Sequence, residues 1–476
     1  MVLSIVNCQL SIMLAQDLQI LSHTDLVGSA RYVGLAGAMT AVGGDPSAVK
    51  DNPAGLGVFR RLDIALTLDM DFDRVYQDKQ RVGLYNTFTS TQASVVFSMM
   101  NPDRSSVLRY NNVMFSYHRL ASFNRQYTVG QTANWSLADV ICLMTNGLPE
   151  SALQPSERWS NQDVGWLSCQ GYDTYLISPT PEDTLMWQNV LEEGQTVKNN
   201  FSIKETGYVN QFSLAWGGNF FDRLYVGVSM NVLSLYHNQS VQYFEEFGEG
   251  CGLDNNTYVA HSGLGFNASV GVIYHPIQWL RVGASFTTPS AMALTTTTYG
   301  DLASTLWYVN PETGASELKG ITSSSPDNRY TDRSTTMPLR FSLGAAFQCM
   351  NYGLISVQYD LSHNKHINNV HALRVGLEGV ISNHFFLNAG YAFEGTFKQS
   401  APVELASIRT DAYTESLNST QYVTAGFGYR ASHFMVHAAY RFRMQRIDTY
   451  AHQLTDPYQL NAMTHGIVIT LGFHTK

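Results

Sequence analysis

The chain has 476 residues, a formal net charge of −9, 14% charged residues and 12% aromatic residues. The acidic balance and the lack of a basic stripe exclude nucleic acid as an expected partner. Tyr, Phe and Gly are abundant, and no apolar run reaches the roughly 18 residues that a membrane-spanning helix needs. A mean hydropathy of −0.12 is compatible with a membrane β-barrel, because every second residue of its strands faces away from lipid.

The N-terminus resembles a secretory signal peptide. Residues 1–15 are apolar and end in the small residue Ala15 just before Gln16, although no Lys or Arg precedes the apolar part. An apolar stretch that ends in a small residue is typical of the central region and cleavage site of such a peptide. We therefore predict a signal peptide over residues 1–15, with a buried first strand as the alternative.

Residues 16–61 differ in composition from everything that follows. Gly and Ala dominate residues 34–57, and glycine permits tight turns and close backbone approach. Asp45 before Pro46 predicts a helix start, with Asp as the N-cap and Pro in the first helical position, and Pro53 predicts the end of that helix. We interpret the segment as a plug, or hatch, inside a barrel; its candidate hatch residues are Gly34, Gly37, Asp45, Asn52, Pro53, Ala54 and Gly55.

From Leu62 onward, apolar and polar residues alternate with a period of two, which predicts β-strands. Many strands come in pairs that a short turn joins, such as 211–216 and 224–232. We count about fourteen strands, and single-chain bacterial barrels have an even number with both chain ends in the periplasm. The sequence therefore predicts an all-β fold: a transmembrane antiparallel β-barrel over residues 62–476, in the bacterial outer membrane, with the N-terminal hatch inside the lumen.

Long polar connections alternate with the short turns, and this asymmetry is typical of outer-membrane barrels. The longest, residues 132–205, 233–260 and 297–336, are predicted to be extracellular loops. Aromatic residues such as Trp216 and Tyr225 crowd the strand ends, as in the girdles at membrane interfaces. This aromatic placement favours a membrane barrel over a soluble β-sandwich, which would show the same alternation.

Residues 132–205 form the longest interruption of the strand pattern. The segment has helical patches near 137–143 and 184–191, and a connection of this length is expected to be folded and functional. Its apolar side chains are candidate ligand-binding residues, with the loop's own core as the alternative interpretation. They are Leu143, Met144, Leu148, Trp159 and Trp166.

Residues 28–56 resemble the N-terminal hatch of the long-chain fatty-acid and aromatic-hydrocarbon transporter family, the FadL and TodX group. The Gly/Ala-rich stretch, Asp45 with Ser47-Ala48, and Asn52-Pro53-Ala54-Gly55 carry this resemblance. The variant at 43–49 is similar to a Bacteroidetes-like branch. The resemblance implies a fourteen-stranded barrel around a hatch, and passive uptake of hydrophobic small molecules such as fatty acids or aromatic hydrocarbons.

The resemblance also implies a route for the ligand. Extracellular loops capture it, and it leaves past the hatch or through a lateral gap at a kink in the third strand. The third strand here is predicted at residues 111–130, and its alternation fails across 119–125. The candidate kink residues are Ala121, Ser122 and Phe123; the alternative is a long strand that continues into the loop.

No catalytic motif is present: the sequence lacks a Gly-x-Ser-x-Gly elbow and an HExxH helix. We expect no enzyme activity, no metal and no cofactor. Cys142 and Cys169 either pair in an exported protein or remain free thiols. One alternative function is a structural barrel in an outer-membrane assembly, with protein or lipoprotein partners besides membrane lipid and lipopolysaccharide. Another is a haemin receptor, because His363, His366 and His371 lie close in sequence.

Overall fold

The computed structural model describes residues 24–475 except 104–105, 155–157, 161–163, 312–313, 327–328, 350–351, 365–366, 383 and 396–413. The predicted signal peptide, residues 1–15, lies outside the described residues. None of the described helices has the length and apolar character needed to cross a lipid bilayer.

Fourteen antiparallel strands form one closed barrel. They are β1 Asp63–Gln77, β2 Gln80–Met100, β3 Leu108–Ser122 with Arg125–Ala133, β4 Val197–Phe220, β5 Leu224–Gly248, β6 Cys251–Ile277, β7 Leu280–Thr287 with Ser290–Val309, β8 Ser316–Ser324 with Arg329–Met337 and Leu339–Cys349, β9 Gly353–Asn364, β10 Ile367–Val380, β11 Phe385–Gly395, β12 Thr414–Arg430, β13 Phe434–Tyr450 and β14 Tyr458–His474. Strand β1 pairs with β14 along its whole length, from Asp63–His474 to Gln77–Leu460, and this pairing closes the barrel. The predicted all-β antiparallel barrel with an internal hatch is confirmed.

The two faces of the strands have opposite character. In β1, Ile64 and Leu66 point outward and are 41% and 44% exposed, whereas Ala65 and Asp69 point inward and are buried. This follows from the period of two, because successive side chains leave opposite faces of a strand. The outward apolar residues form the band that faces lipid in barrels of this type.

Two of the predicted extracellular loops are strands instead. Residues 233–260 continue β5 and β6 into a hairpin whose ladder reaches Glu246–Gly252, and much of 297–336 belongs to β7 and β8. The alternation persists there, but its outward residues are mostly polar, such as Asn238 and Gln242, while Val241 is buried inside. We mistook these segments for loops because strands that rise beyond the lipid need no apolar outer face.

The predicted folded loop lies between β3 and β4 and has helices α3 Leu137–Thr145 and α4 Trp166–Asp173. The predicted helical patch at 137–143 is confirmed; Ser136 and Asp139 cap α3 through a reciprocal capping box. The patch at 184–191 is wrong, because Trp187–Asn189 pairs with Ile177–Pro179 as a two-stranded sheet. Helix α4 was missed because its Gly, Ser, Cys and Tyr residues have low helix propensity.

The hatch consists of α1 Ala30–Gly34, α2 Pro46–Val49 and a 3-10 helix, Pro53–Val58. The predicted start of α2 is confirmed: the Asp45 side chain accepts a hydrogen bond from Ser47 N. Pro53 does not end that helix, which stops at Val49. Pro53 begins the 3-10 helix instead, and the Asn52 side chain caps it by accepting from Ala54 N.

Wall glycines face the hatch backbone at close range. A Cβ placed on Gly227 of β5 would lie 2.5 Å from Ala54 N, one on Gly390 of β11 would lie 2.7 Å from Ala36 N, and one on Gly217 of β4 would lie 2.9 Å from Gly57 N. Real Cβ atoms do not approach other atoms this closely, so larger residues would push the hatch off the wall. Small residues on both sides therefore let the hatch fill the lumen at the packing density of a protein core.

Gly227→Ala tests this contact. We expect the barrel to fold and the hatch to lose about 1–3 kcal/mol of stability, because overpacking forces backbone shifts. The loosened hatch should exchange its backbone amide hydrogens faster, which hydrogen–deuterium exchange of residues 30–58 measures. Gly379→Ala is the matched control, because a Cβ there meets nothing within 4 Å. Equal exchange rates in the two variants, both with the heat-modifiable gel mobility of a folded barrel, would contradict the account.

Candidate functional site: a lumen closed at both ends and interrupted at one side

The hatch is tied to the wall by ion pairs in the lumen. Arg31 makes two hydrogen bonds with the Glu378 carboxylate, at 2.7 and 2.9 Å, and Asp25 pairs with Arg443 at 2.8 Å. Removing one partner of such a buried pair leaves an uncompensated charge, which costs about 3–5 kcal/mol. These pairs therefore fix the position of the hatch.

Several of the hatch residues that the sequence predicted lie at this interface, whereas Asp45 accepts from Ser29 and Ser47 within the hatch and a Cβ on Gly55 would meet Gly43. The Gly34 carbonyl accepts from Thr424 of β12 at 3.1 Å, and the Asn52 amide donates to the Val272 carbonyl of β6 at 3.3 Å. Gly37 has a φ of +74°, and a Cβ there would lie 2.9 Å from Tyr32 Oη. Both the backbone and the side chains of this segment meet the wall.

A small cavity of about 70 Å³ lies between the hatch and the wall, beside Lys50, Asp51 and Arg340. Tyr32 donates to Asp51 at 2.5 Å, and Arg340 approaches the same carboxylate at 3.7 Å. Leu120, Leu233 and Met337 complete part of the lining. The cavity thus has a polar floor and apolar side chains on one flank.

The segment between β3 and β4, which we call the cap, closes the other end of the lumen. Its buried core contacts inward side chains from strands on opposite sides of the barrel, including Val75 of β1, Phe201 of β4, Leu302 of β7 and Tyr458 of β14. On α4, Gln170 donates to the Gly300 carbonyl at 2.9 Å. The cap therefore sits in the mouth of the barrel as a packed element.

One buried carboxylate holds α3 of the cap. Glu245 of β5 is fully buried and accepts hydrogen bonds from the Ser136 hydroxyl, from Leu137 N at 2.9 Å and from Tyr243 Oη at 2.5 Å. An anion at a helix N-terminus satisfies free amide groups and interacts favourably with the helix dipole. Glu245 therefore fastens the cap to the wall.

The two cysteines of the cap are free and buried. Burial is the main cause that raises the pKa of the Cys142 thiol and that of the Cys169 thiol to about 12. A thiol with so high a pKa stays protonated at neutral pH, and the thiolate is the reactive form. The reactivity of these two thiols therefore measures how tightly the cap is packed.

The predicted ligand-binding residues lie mainly in the core of the cap. Trp166 is 1% exposed, and its ring meets that of Trp159 edge-on with centroids 5.8 Å apart. Met144 and Leu148 pack against the same core, whereas Leu143 is 54% exposed. Four of the five thus come together in the loop's own core, and Leu143 lies apart from it.

The wall is interrupted between β2 and β3. Their ladder runs from Met100–Tyr110 to Gln92–His118 and stops there, although β2 stays paired with β1 as far as Gln80. Further along, the strands approach again, because a Cβ on Gly83 would lie 2.9 Å from Tyr127 Cβ. The interruption therefore lies between two regions in which β2 and β3 are in contact.

Strand β3 breaks at the predicted kink. Its pairing with β4 shifts register between Arg119 and Ala121, and the strand ends at Ser122 and resumes at Arg125. The hatch reaches this point: Asp25 N donates to the Leu120 carbonyl at 2.8 Å, and its carboxylate accepts from Ser122 N at 2.9 Å. Asp25 thus supplies hydrogen-bond partners at the break.

An apolar cluster in the lumen lies at the break. It combines Ala121 with inward side chains of β4, β5, β7 and β8, and Leu120 and Phe123 pack against it; the other buried members are Val209, Leu233, Leu235, Met292, Leu294 and Met337. The sequence predicted Ala121 and Phe123 as kink residues but did not reveal the other members, because those occupy the inward face, which is otherwise polar. One feature of the sequence does indicate this cluster: Leu233 and Leu235 are apolar, although they share the inward face of β5 with the polar residues Asn231 and His237.

The histidines of the haemin alternative make local contacts. His363 Nδ1 lies 2.6 Å from Asn369 Oδ1, and His371 Nδ1 lies 2.7 Å from Tyr359 Oη; His366 is outside the described residues. Over the described ranges, no group of three or more His, Cys, Asp or Glu side chains is placed to hold a metal ion.

A closed fourteen-stranded barrel with a hatch in its lumen defines a class of plugged barrels. Solved structures of this fold are similar along nearly the whole chain. A FadL homologue of Pseudomonas aeruginosa gives a TM-score of 0.52 at 12% identity, covering 95% of this chain and 99% of that one. The toluene transporter TodX of P. putida gives 0.52 at 12% identity over 94% and 99%.

The toluene transporter TbuX of Ralstonia pickettii gives a TM-score of 0.51 at 12% identity, covering 95% of this chain and 99% of that one. No protein-family model and no curated protein matches the chain. At this level of identity the likeness shows a shared fold. The fold that the hatch resemblance implied is therefore confirmed.

Glu245→Ala tests the attachment of the cap. With Cys8, Cys251 and Cys349 replaced by Ser, we expect slow maleimide labelling of Cys142 and Cys169 in the parent protein at pH 8, because the raised pKa keeps the thiols protonated. The variant leaves buried donors unpaired, at about 1–3 kcal/mol each, so labelling should accelerate. Glu246→Ala, on the exposed face, is the control; equal rates in both variants would refute the role of Glu245.

Proposed function

We propose that this protein is an outer-membrane channel for the passive uptake of hydrophobic small molecules. The outer leaflet presents a hydrated sugar layer that such molecules cross slowly, so a path through protein that ends in lipid removes a physical barrier. The cap and the long hairpins face the outside in this proposal, and the chain ends face the periplasm. Membership in the long-chain fatty-acid transporter family is part of the proposal.

The end of the β2–β3 ladder at Gln92–His118 is the observation that carries the proposal. Inside the barrel, the apolar cluster with Ala121 and Leu233 lies at this interruption. Outside, β2 residues 84–91 lie beside the part of β1 that bears Leu68, Met70 and Phe72. A ligand leaving the cluster between the strands would therefore pass from one apolar environment to another.

The proposed path begins at the cap and ends at the interruption. The cap must loosen for a ligand to enter, because its core packs against the wall. The hatch closes the direct way to the periplasm, since ion pairs and close glycine contacts hold it. Lateral exit beside Ala121, Ser122 and Phe123 then needs a smaller change than removal of the hatch.

The named ligands of similar barrels indicate which probes to use. TodX and TbuX are toluene transporters, and another similar structure is called a monoaromatic hydrocarbon channel. The side chains of the apolar cluster are uncharged, and the cavity that Leu120, Leu233 and Met337 line also has Lys50, Asp51 and Arg340 beside it. This combination suits an amphiphile with a charged head as well as an uncharged ligand. Toluene and a long-chain fatty acid are therefore the two classes of ligand to compare.

Bridging the interruption should block uptake. In a background without other cysteines, Ser90→Cys with Leu120→Cys places thiols on the two strands just beyond the last rung. A short bis-maleimide linker should lower uptake of labelled toluene or oleate to the level of cells without the protein. Cells that carry the same double-cysteine protein but receive no linker should keep their uptake.

The control bridge is Ala93→Cys with Tyr117→Cys, because these residues already face each other across the ladder. Linking them should leave uptake unchanged. If both bridges leave uptake intact, the lateral path is wrong. If both abolish it, the effect comes from the linker and not from closure of the interruption.

A structural barrel in an outer-membrane assembly is the second candidate. The observation that favours it is the tightly packed cap, because a core that spans the mouth suits a fixed scaffold as well as a gated channel. A protein that supports no uptake of either probe, yet purifies with a stoichiometric outer-membrane partner, would favour this alternative.

A further inference from the structure

With the cap taken as the top of the barrel and the hatch as the bottom, the outer face carries a groove below the interruption. It has a volume of about 690 Å³ and lies across β2 to β6. The exposed apolar side chains that line it include Phe115, Phe212, Met230 and Phe266.

One cation stands at the upper end of the groove. Arg119 follows the groove residue Tyr117 by two positions on β3 and pairs with Asn210 of β4. Its Nε donates to Asn210 Oδ1 at 3.2 Å, its Nη2 lies 3.4 Å from Tyr117 Oη, and its guanidinium lies 4.8 Å from the centre of the Tyr208 ring. These contacts hold the guanidinium at the wall, and among the described residues none accepts a hydrogen bond from its Nη1.

On β4, the outward residues change from apolar to polar at the level of Arg119. Below it on β4, the outward residues are apolar, with Phe212 and Leu214 about half exposed. Above it they turn polar, with Thr206 and Lys204. An arginine at this boundary reaches lipid headgroups, whereas one at the centre of the bilayer would cost about 2–4 kcal/mol.

The described residues give Arg119 neutral contacts, to an amide, a phenol and an aromatic ring. Among those residues, no carboxylate forms an ion pair with it. Guanidinium binds phosphate through two parallel hydrogen bonds, and such charge-assisted bonds are stronger than neutral ones. The tyrosines beside it are also suited to an interface, because one end of the ring is apolar and the other polar.

We propose that Arg119 and the groove below it form a binding site for lipid A, the phosphorylated acylated glycolipid of the outer leaflet. The guanidinium binds a phosphate of the headgroup, and the acyl chains lie along Phe115, Phe212 and Met230. Arg119 lies toward the end of the barrel that bears the cap and the hairpins, the end proposed to face outside. This site depends on the barrel standing in the outer membrane and not on transport.

Binding of purified lipids to the full-length protein in detergent tests the site. Native mass spectrometry with bisphosphorylated lipid A should show one tightly bound copy. Arg119→Gln should weaken that binding by about ten- to a hundredfold, the size expected for loss of a charge-assisted hydrogen bond. Arg223→Gln, at an exposed turn on the opposite rim of the barrel, should bind lipid A as the parent does.

Two further measurements keep the proposal open to refutation if Arg119→Gln folds poorly. Dephosphorylated lipid A should bind the parent protein about as weakly as lipid A binds the variant. Phosphatidylglycerol should bind more weakly than lipid A. Equal binding of phosphorylated and dephosphorylated lipid A, or tighter binding of phosphatidylglycerol, would overturn the site, whatever the result of the uptake experiments.

Discussion

Inside a bilayer, every backbone amide and carbonyl group must find a partner within the protein. This constraint explains why β1 pairs with β14 over its full length. It also makes the β2–β3 interruption informative, because irregular backbone at membrane depth is tolerated where it lines a cavity or is covered by protein. At the break, Asp25 of the hatch supplies an acceptor to Ser122 N and a donor to the Leu120 carbonyl. The hatch and the interruption therefore form one structural unit.

The hatch and the cap close the lumen by different physical means. The hatch meets the wall through backbone contacts at glycines such as Gly227 and Gly390, reinforced by ion pairs such as Arg31–Glu378. The cap is a small apolar core of its own, anchored by the buried Glu245. The cap is thus held by a buried carboxylate, by hydrogen bonds such as Gln170 to the Gly300 carbonyl, and by its packing against the wall.

Local sequence rules predicted most of this fold. The period of two located the strands, and Asp45-Pro46 located the start of α2 because both residues act on the adjacent backbone. The hairpin at 233–260 was misread because its outward face is polar, and outward polarity depends on the height of the lipid, which local sequence does not encode. The apolar cluster around Leu233 was missed for a similar reason: its members come from four strands, and only closure of the barrel brings them together.

The central claim is that a hydrophobic ligand rests in the lumen at the β2–β3 interruption. The most direct test is a crystal structure of the protein soaked with a brominated fatty acid or bromotoluene, with the bromine located by anomalous scattering. The account predicts an anomalous peak inside the barrel against Ala121, Leu233 or Met337, with the ladder still ending at Gln92–His118. Bromine found solely outside the barrel, or a continuous β2–β3 ladder, would contradict it.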